Sequence, residues 1–253
     1  MRALKDMSVL ITGGGSGIGE GAAKHFAKSG ARVTIAGRRE IALRQVVSDI
    51  GKEASYVTGD VTVAEDRKRM VDAAVTHGGG IDVLISNAGN IYRCDVADYE
   101  EQQLLDLFHS NVVGGMMLLK DSVFHLKKSK GCVLFVGSVH TQRAFPNASP
   151  YAATKGALET LTGVLAAELG RDGIRVGCVR PGGVLTEINV RAGLSTQAEA
   201  KERLEGMGNM HALGRIGTPE EIAEAFEYLA CAEWATGNVL TIDGGLGLGV
   251  TQE

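Results

Sequence analysis

Two residues four positions apart have side chains that could transfer a proton. Tyr151 and Lys155 lie in a segment with a helical pattern, so both should project from one face of a helix. Free tyrosine has a pKa of about 10, which is too high for efficient acid or base catalysis at neutral pH, but a neighbouring cation favours the phenolate. The pair could therefore act as a general acid or base, although this spacing alone is common by chance.

Two polar residues upstream could complete a catalytic group. Ser138 follows the fifth apolar run of the chain, at the edge where α/β sheets bind ligands. Asn111 lies midway along a long helical pattern and precedes Gly114 and Gly115, which predict a local distortion of that helix. Taken singly, Ser138 is equally consistent with a turn or helix cap, and Asn111 with a surface polar residue.

A glycine-rich loop joins the first apolar run to the first helical pattern. Residues 12–19 read Thr-Gly-Gly-Gly-Ser-Gly-Ile-Gly. Glycine permits positive φ angles and close approach of the backbone to an anion, and a helix N-terminus presents N–H groups to phosphate. The loop lacks the Gly-Lys-Ser/Thr ending of a P-loop. It therefore predicts a dinucleotide site, at Gly13, Gly15, Ser16, Gly17, Ile18 and Gly19.

The end of the second apolar run indicates which dinucleotide binds. A carboxylate there would bind the ribose 2′-hydroxyl of NAD, whereas an arginine suits the 2′-phosphate of NADP. The chain has Arg38 and Arg39 there, with no acid before Glu40. Cations at a helix N-terminus oppose the macrodipole by about 0.3–1 kcal/mol each, and a bound phosphate would remove that conflict. We therefore predict NADP(H), with NAD(H) as the alternative.

Composition and charge exclude several classes of protein. The 253 residues include 35 glycines without a three-residue period and only 4 prolines, which excludes collagen and Pro/Gly-rich disorder. A formal net charge of −4 gives no support for binding nucleic acid or an anionic membrane. No run approaches the ~20 apolar residues of a transmembrane helix. The scattered cysteines and histidines predict reduced, mostly buried thiols, a cytoplasmic setting and no metal site.

Short apolar runs alternate with helical patterns, as is typical of βαβ units. The alternation predicts one α/β domain, residues 1–253, with a seven-stranded parallel sheet between two layers of helices. The predicted strands are 8–12, 32–36, 55–58, 81–86, 132–137, 175–179 and 238–242. The predicted helices are 19–29, 40–50, 64–77, 100–127, 151–170 and 219–230. Residues 187–215 exceed an ordinary connection, so we expect a substrate-binding lid or a solvated insertion, with His211 solvated.

Further motifs, in order and spacing, make the chain resemble the short-chain dehydrogenase/reductases over nearly its whole length. The resemblance implies a single Rossmann-type, doubly wound catalytic domain and a homotetramer. The chain departs from the family at Ser86, where an asparagine is usual. The matching pieces are Thr12-Gly13, Gly17-Ile18-Gly19, Asp60-Val61, Asn87-Ala88-Gly89, Asn111, Ser138, Tyr151 with Lys155, Pro181-Gly182, Thr186 and Asp243-Gly244-Gly245.

The resemblance also implies a role for each matching residue. Tyr151 exchanges a proton with the substrate oxygen, and Ser138 orients that oxygen. Lys155 assists the tyrosine and holds the nicotinamide ribose, while Asn111 anchors a proton-relay water. Asp60 and Val61 contact adenine, and Thr186 meets the carboxamide. The remaining implied cofactor residues are Asn87, Ala88, Gly89, Pro181, Gly182 and Val184.

We therefore predict an NADP(H)-dependent oxidoreductase that interconverts a ketone and a secondary alcohol by hydride transfer. The alternatives are a 3-oxoacyl-[acyl-carrier-protein] reductase, an NAD-dependent sugar, polyol or steroid dehydrogenase, and a catalytically silent NADPH-binding regulator. The small-molecule substrate should meet loops that leave the carboxyl edge of the sheet, at Asn90, His140, Arg143 and Phe145, with Ile91 and Gln142 as further wall residues.

Overall fold

A seven-stranded parallel sheet forms the centre of the computed structural model, which describes residues 2–186 and 206–249 together with 188, 193, 196, 198, 199 and 202. The strand order is β3-β2-β1-β4-β5-β6-β7, so the chain reverses direction across the sheet between β1 and β4. This confirms the predicted sheet. The strands are β1 (Ser8–Thr12), β2 (Arg32–Gly37), β3 (Ala54–Thr58), β4 (Val83–Ser86), β5 (Cys132–Val136), β6 (Arg175–Pro181) and β7 (Asn238–Ile242).

Helices cover both faces of the sheet and create two separate hydrophobic cores. Helices α1, α2 and α7 pack on one face, and α3, α5 and α6 on the other. Within the described residues, none of the helices combines the length and apolarity needed to cross a bilayer. The helices are α1 (Gly17–Lys28), α2 (Glu40–Ile50), α3 (Ala64–Gly78), α4 (Glu101–Phe108), α5 (Gly114–Ser129), α6 (Ser149–Leu169) and α7 (Pro219–Cys231).

The strands are apolar at consecutive positions because both faces of the sheet are covered. In β1, Val9 and Ile11 belong to one core and Leu10 to the other, and all three are fully buried. The predicted start of the last helix at residue 219 is also confirmed, and Thr218 is its N-cap. Its side chain accepts a hydrogen bond from the Glu221 backbone N–H, and the two residues form a capping box.

The helix predicted over 100–127 is interrupted at Asn111. A π-helical turn, His109–Val113, separates α4 from α5, so the predicted local distortion is confirmed. Gly114 and Gly115 have a further role, which is close packing. A Cβ atom at Gly114 would lie 2.9 Å from Val61 Cγ2, and one at Gly115 would lie 2.5 Å from Ser86 Oγ. The two glycines therefore let α5 approach β4 and the end of β3.

The cysteines give a direct test of the two cores. Cys132, Cys178 and Cys231 are buried and Cys94 is half-buried, all with free thiols. Burial raises the pKa of Cys132 to about 11 and that of Cys178 to about 12. Burial likewise raises the pKa of Cys231. Thiolates are the reactive form, so these three thiols should react slowly at pH 8.

We expect a disulfide-exchange reagent to modify one thiol, Cys94, rapidly in the native protein at pH 8. All four thiols should react in guanidinium chloride, because unfolding exposes the cores. A Cys94→Ser variant is the matched control and should lose the rapid phase. Two or more rapid thiols in the native protein would contradict this packing.

Candidate functional site

Two adjoining cavities lie at the carboxyl edge of the sheet, beside the point where the strand order reverses. Their volumes are ≈ 360 Å³ and ≈ 650 Å³, and we call them the catalytic cavity and the arginine cavity. Gly13, Ser16, Ala88 and Gly89 line both of them. A ligand that filled both cavities would therefore cross the glycine-rich loop, which is where open α/β sheets bind dinucleotides.

The glycine-rich loop adopts a backbone that requires glycine. Gly13 and Gly17 have φ angles of 68° and 56°, in the left-handed region that side chains disfavour. Gly19 lines neither cavity, although it was predicted to contact a cofactor. A Cβ atom there would lie 2.4 Å from the Gly13 carbonyl oxygen. Its role in this structure is to let the loop pack against the first turn of α1.

The loop is tied to the end of β4 by polar groups. Thr12 Oγ1 accepts hydrogen bonds from the backbone N–H groups of Asn87 (3.1 Å) and Ala88 (3.0 Å). In return, Asn87 Nδ2 donates to the Thr12 carbonyl oxygen at 2.8 Å. The ends of β1 and β4 are thus held together, and the residues predicted at the cofactor cleft form one continuous wall.

Arg38 and Arg39 both line the arginine cavity, as do Gly15, Asp60 and Val61. Arg38 Nη1 lies 3.7 Å from Asp60 Oδ2, and its side chain is 62% exposed. Arg39 Nη2 donates to Ser16 Oγ at 2.9 Å. Two guanidinium groups therefore flank this cavity, and that of Arg39 is hydrogen-bonded to the glycine-rich loop. Asn90, predicted at the substrate, lies on the wall of this cavity instead.

Ser138, Tyr151 and Lys155 come together in the catalytic cavity. Ser138 follows β5 and precedes a short 3-10 turn, whereas Tyr151 and Lys155 lie on the first turns of α6. Lys155 is 5% exposed, and its Nζ donates to the Val136 carbonyl oxygen at 2.8 Å. Nζ also lies 5.4 Å from the centroid of the Tyr151 ring. A buried ammonium group is thus held beside the phenol.

Asn111 is placed behind this cavity wall rather than on it. Its Oδ1 accepts from the Asn90 N–H at 2.7 Å, and its Nδ2 donates to the Asn90 carbonyl at 2.9 Å. Nδ2 also donates to Thr154 Oγ1 at 3.1 Å, and Thr154 in turn bonds the Tyr151 carbonyl. Asn111 therefore links the loop after β4 to the turn of α6 that carries Tyr151.

A nearly buried ion pair supports the segment that follows Ser138. Arg180 donates to Glu159 through Nε (2.9 Å) and Nη2 (2.7 Å), and the pair raises the pKa of the Arg180 guanidinium. Thr141 Oγ1 lies 2.9 Å from Glu159 Oε1. Charges with little access to water need close partners, so the two side chains hold each other in place. Because Glu159 lies on α6 and Arg180 on β6, the bond from Thr141 to Glu159 attaches the 138–141 segment to both elements.

Two of the predicted substrate residues, His140 and Phe145, line the catalytic cavity. Their ring centroids are 4.5 Å apart, and the His140 ring meets Tyr151 edge-on at 5.3 Å. Arg143 does not line it, because its Nη1 donates to the Leu246 carbonyl at 2.9 Å. Arg143 therefore connects the loop after β5 to the C-terminal region.

Several residues of the catalytic cavity were not identified as site residues from the sequence. For Arg93 the available signal was its place in the loop after β4, which leaves the same edge of the sheet as Ser138. Val139 directly follows Ser138, whereas Leu246 is remote in sequence and gave no local signal. Ile91 lines the cavity, as do Ile188, Met207 and Met210 of the predicted lid, whereas Gln142 does not.

The predicted lid falls mostly outside the described residues, including Leu194 and Leu204, but 206–215 are described. Met207 and Met210 there line the catalytic cavity. The expectation that His211 is solvated is wrong, because it is 1% exposed. Its Nε2 accepts from the Gly183 N–H at 3.2 Å, and Nδ1 lies 2.9 Å from the Met207 carbonyl. His211 thus attaches this segment to the end of β6.

Metal-binding groups do not converge in the part of the chain that the structure describes. No three side chains among its His, Cys, Asp and Glu residues come close enough to hold an ion.

Comparisons with known proteins cover nearly the whole chain. A family model described as enoyl-(acyl carrier protein) reductase matches residues 13–247. The chain is 34% identical to a glucose 1-dehydrogenase of Gluconobacter oxydans (strain 621H), over 95% of this chain and 91% of that protein. It is 35% identical to (+)-borneol dehydrogenase 1 of Salvia officinalis, over 96% and 95%. A crystal structure of a short-chain dehydrogenase/reductase of unknown function from Caenorhabditis elegans, solved with cofactor, has a TM-score of 0.91 and 30% identity, covering 98% of each chain.

Proposed function

Because the chain belongs to the short-chain dehydrogenase/reductase family, we propose that it is an NADP(H)-dependent oxidoreductase interconverting a ketone and a secondary alcohol. The observation that carries this proposal is the pair of adjoining cavities. One contains Ser138, Tyr151 and Lys155, and the other is flanked by Arg38 and Arg39. The glycine-rich loop passes between them, as a dinucleotide pyrophosphate requires.

The residues of both cavities fit a nicotinamide dinucleotide. Asp60 and Val61 would hold the adenine, and Arg38 with Arg39 would hold a 2′-phosphate. The backbone N–H groups at the start of α1 would face the pyrophosphate. When bound, the nicotinamide ring supplies or accepts the hydride. The residues that would enclose its half of the cofactor are Asn87, Ala88, Gly89, Pro181, Gly182, Val184 and Thr186.

In the reducing direction, Tyr151 donates its phenolic proton to the substrate oxygen while Ser138 donates a hydrogen bond to the same atom. Lys155 stabilises the phenolate left behind, since its ammonium acts where little water screens the charge. Asn111 holds the turn that carries Tyr151. Its side-chain amide is already bonded through both oxygen and nitrogen, to Asn90 and Thr154.

The wall of the catalytic cavity supports an apolar ketone as substrate. Phe145, Met207, Met210 and Leu246 form much of the wall near Ser138, and Arg93 and His140 are polar residues among them. A polyhydroxylated sugar would leave hydroxyl groups unpaired against the apolar side chains, which is unfavourable.

We therefore expect a panel of ketones, sugars, steroids and acyl thioesters, each assayed with both cofactors, to give the highest kcat/KM for compact apolar ketones. Preference for a sugar would contradict this substrate class, and preference for acyl thioesters would favour the carrier-protein alternative. The proposed homotetramer and cytoplasmic setting rest on the family resemblance and on the free thiols. Light scattering tests the tetramer, which a mass of one chain would rule out.

Replacing Tyr151 tests the chemistry itself. Tyr151→Phe removes the hydroxyl and keeps the ring, so we expect kcat to fall by about 10²–10⁴-fold while the Kd for NADPH, measured by fluorescence titration, stays unchanged. Tyr56→Phe is the matched control, because Tyr56 lies on β3 with its hydroxyl on Glu40, outside both cavities. Near-normal turnover of Tyr151→Phe would rule out this mechanism.

Replacing Arg38 tests the cofactor preference. We expect Arg38→Ala to lower the ratio of kcat/KM with NADPH to that with NADH by about 10–100-fold, the value of a hydrogen bond to a charged group. Arg44→Ala, an exposed arginine of α2 outside both cavities, should leave the ratio unchanged. An unaltered ratio in Arg38→Ala would remove Arg38 from phosphate recognition.

A further inference from the structure

Two nitrogen atoms of His140 lie against the oxygen of Ser138. The His140 backbone N–H donates to Ser138 Oγ at 3.3 Å, and the ring Nδ1 lies 3.0 Å from the same oxygen. Geometry alone leaves two choices for the second contact, because Nδ1 could donate to the hydroxyl or accept from it. The choice decides whether the Ser138 proton is available to a substrate.

Arg93 makes that choice. Its Nη2 lies 3.3 Å from the other ring nitrogen of His140, Nε2. A guanidinium has donors and no acceptor, so Nε2 must accept this hydrogen bond. An imidazole whose Nε2 accepts carries its proton on Nδ1. His140 is therefore in the Nδ1–H tautomer, and Nδ1 donates to Ser138 Oγ.

The consequence for Ser138 follows from counting its hydrogen-bonding capacity. A hydroxyl has two lone pairs and one proton. The backbone N–H and the Nδ1–H of His140 occupy both lone pairs, so only the proton is left to form a bond. Ser138 lines the catalytic cavity and is otherwise buried, 7% exposed. Its hydroxyl is thus set to donate into the cavity, toward a substrate oxygen.

We propose that Arg93 is a positioning residue that acts through His140 to make Ser138 an obligatory donor. The His140 ring is held for this purpose between Phe145 and the edge of Tyr151. In the opposite tautomer, an Nε2–H would face the Arg93 N–H, and Ser138 would donate to Nδ1 rather than to substrate. This role of Arg93 rests on the proposed function, in which a carbonyl oxygen accepts from Ser138.

The tautomer can be measured without cofactor or substrate. In ¹⁵N-histidine-labelled protein, the His140 ring, assigned by its loss in His140→Phe, should show the Nδ1–H pattern. Arg93→Met keeps a long apolar side chain and removes the donor, so we expect the Nε2–H form to become populated. An Nε2–H ring in the wild type, or an unchanged ring in Arg93→Met, would overturn the proposal.

Kinetics test whether the tautomer matters to turnover. We expect Arg93→Met to lower kcat about tenfold, with the Kd for cofactor unchanged and a larger primary isotope effect with deuterated cofactor, because hydride transfer becomes slower. Arg93→Lys should recover part of kcat, since an ammonium also donates. Arg44→Met is the control, because Arg44 is an exposed arginine of α2 outside both cavities, and it should leave kcat unchanged.

A double-mutant cycle separates action through His140 from an independent effect. If Arg93 acts through His140, the double variant Arg93→Met/His140→Phe should lose no more kcat than His140→Phe alone. If the two single losses of kcat instead multiplied in the double variant, Arg93 would not act through His140. If Tyr151→Phe is inactive while Arg93→Met keeps wild-type kcat, the role of Arg93 is wrong and the proposed function stands. Absence of carbonyl turnover in the wild type would instead contradict the proposed function.

Discussion

The tie between the ends of β1 and β4 is the contact on which the rest of the site depends. A parallel sheet covered on both faces leaves only its edges open to ligands. The strand order reverses between β1 and β4, which opens a crevice at the carboxyl edge there. Thr12 is 1% exposed there, and its hydroxyl and carbonyl are both bonded to the 87–88 segment. The glycine-rich loop starts at this fixed point. The two cavities therefore adjoin at the glycine-rich loop, whose position is fixed by its bonds to both β1 and β4.

The proposed catalytic groups are likewise held by polar contacts between a strand and a helix. Ser138 follows β5 at the sheet edge, and Tyr151 and Lys155 face it from the start of α6. The contacts that keep these elements together lie outside the cavity. These include the pair of Arg180 with Glu159, at side-chain exposures of 13% and 11%. A nearly buried ion pair is weak support for stability, because desolvation offsets its attraction, but it does fix geometry. Here it fixes the backbone that follows Ser138.

Local pattern was sufficient to predict the strands, the helices and the position of the glycine-rich loop. Consecutive apolar residues identified the strands because both sheet faces are buried, and the glycines identified a loop that only glycine can form. The substrate half depends on tertiary contacts. Arg93 and Arg143 both follow strands, and only a contact with Leu246, 103 residues away, places Arg143 outside the cavity. His211 was expected to be solvated, yet it is buried because both ring nitrogens meet main-chain groups.

The difference between features set by local sequence and features set by tertiary contacts explains why the family is easier to identify from the sequence than the substrate. A dinucleotide is recognised by main-chain N–H groups and a few charged side chains, and these follow from short motifs. The cavity wall around Ser138 includes four separate segments, near residues 91–93, 139–145, 207–210 and 246. Substitutions in any one of them change the shape of the cavity without disturbing the sheet or the loop. Sequence similarity can then extend to relatives as different as a glucose 1-dehydrogenase and a (+)-borneol dehydrogenase, because the shared motifs lie in the sheet and the loop rather than in this wall.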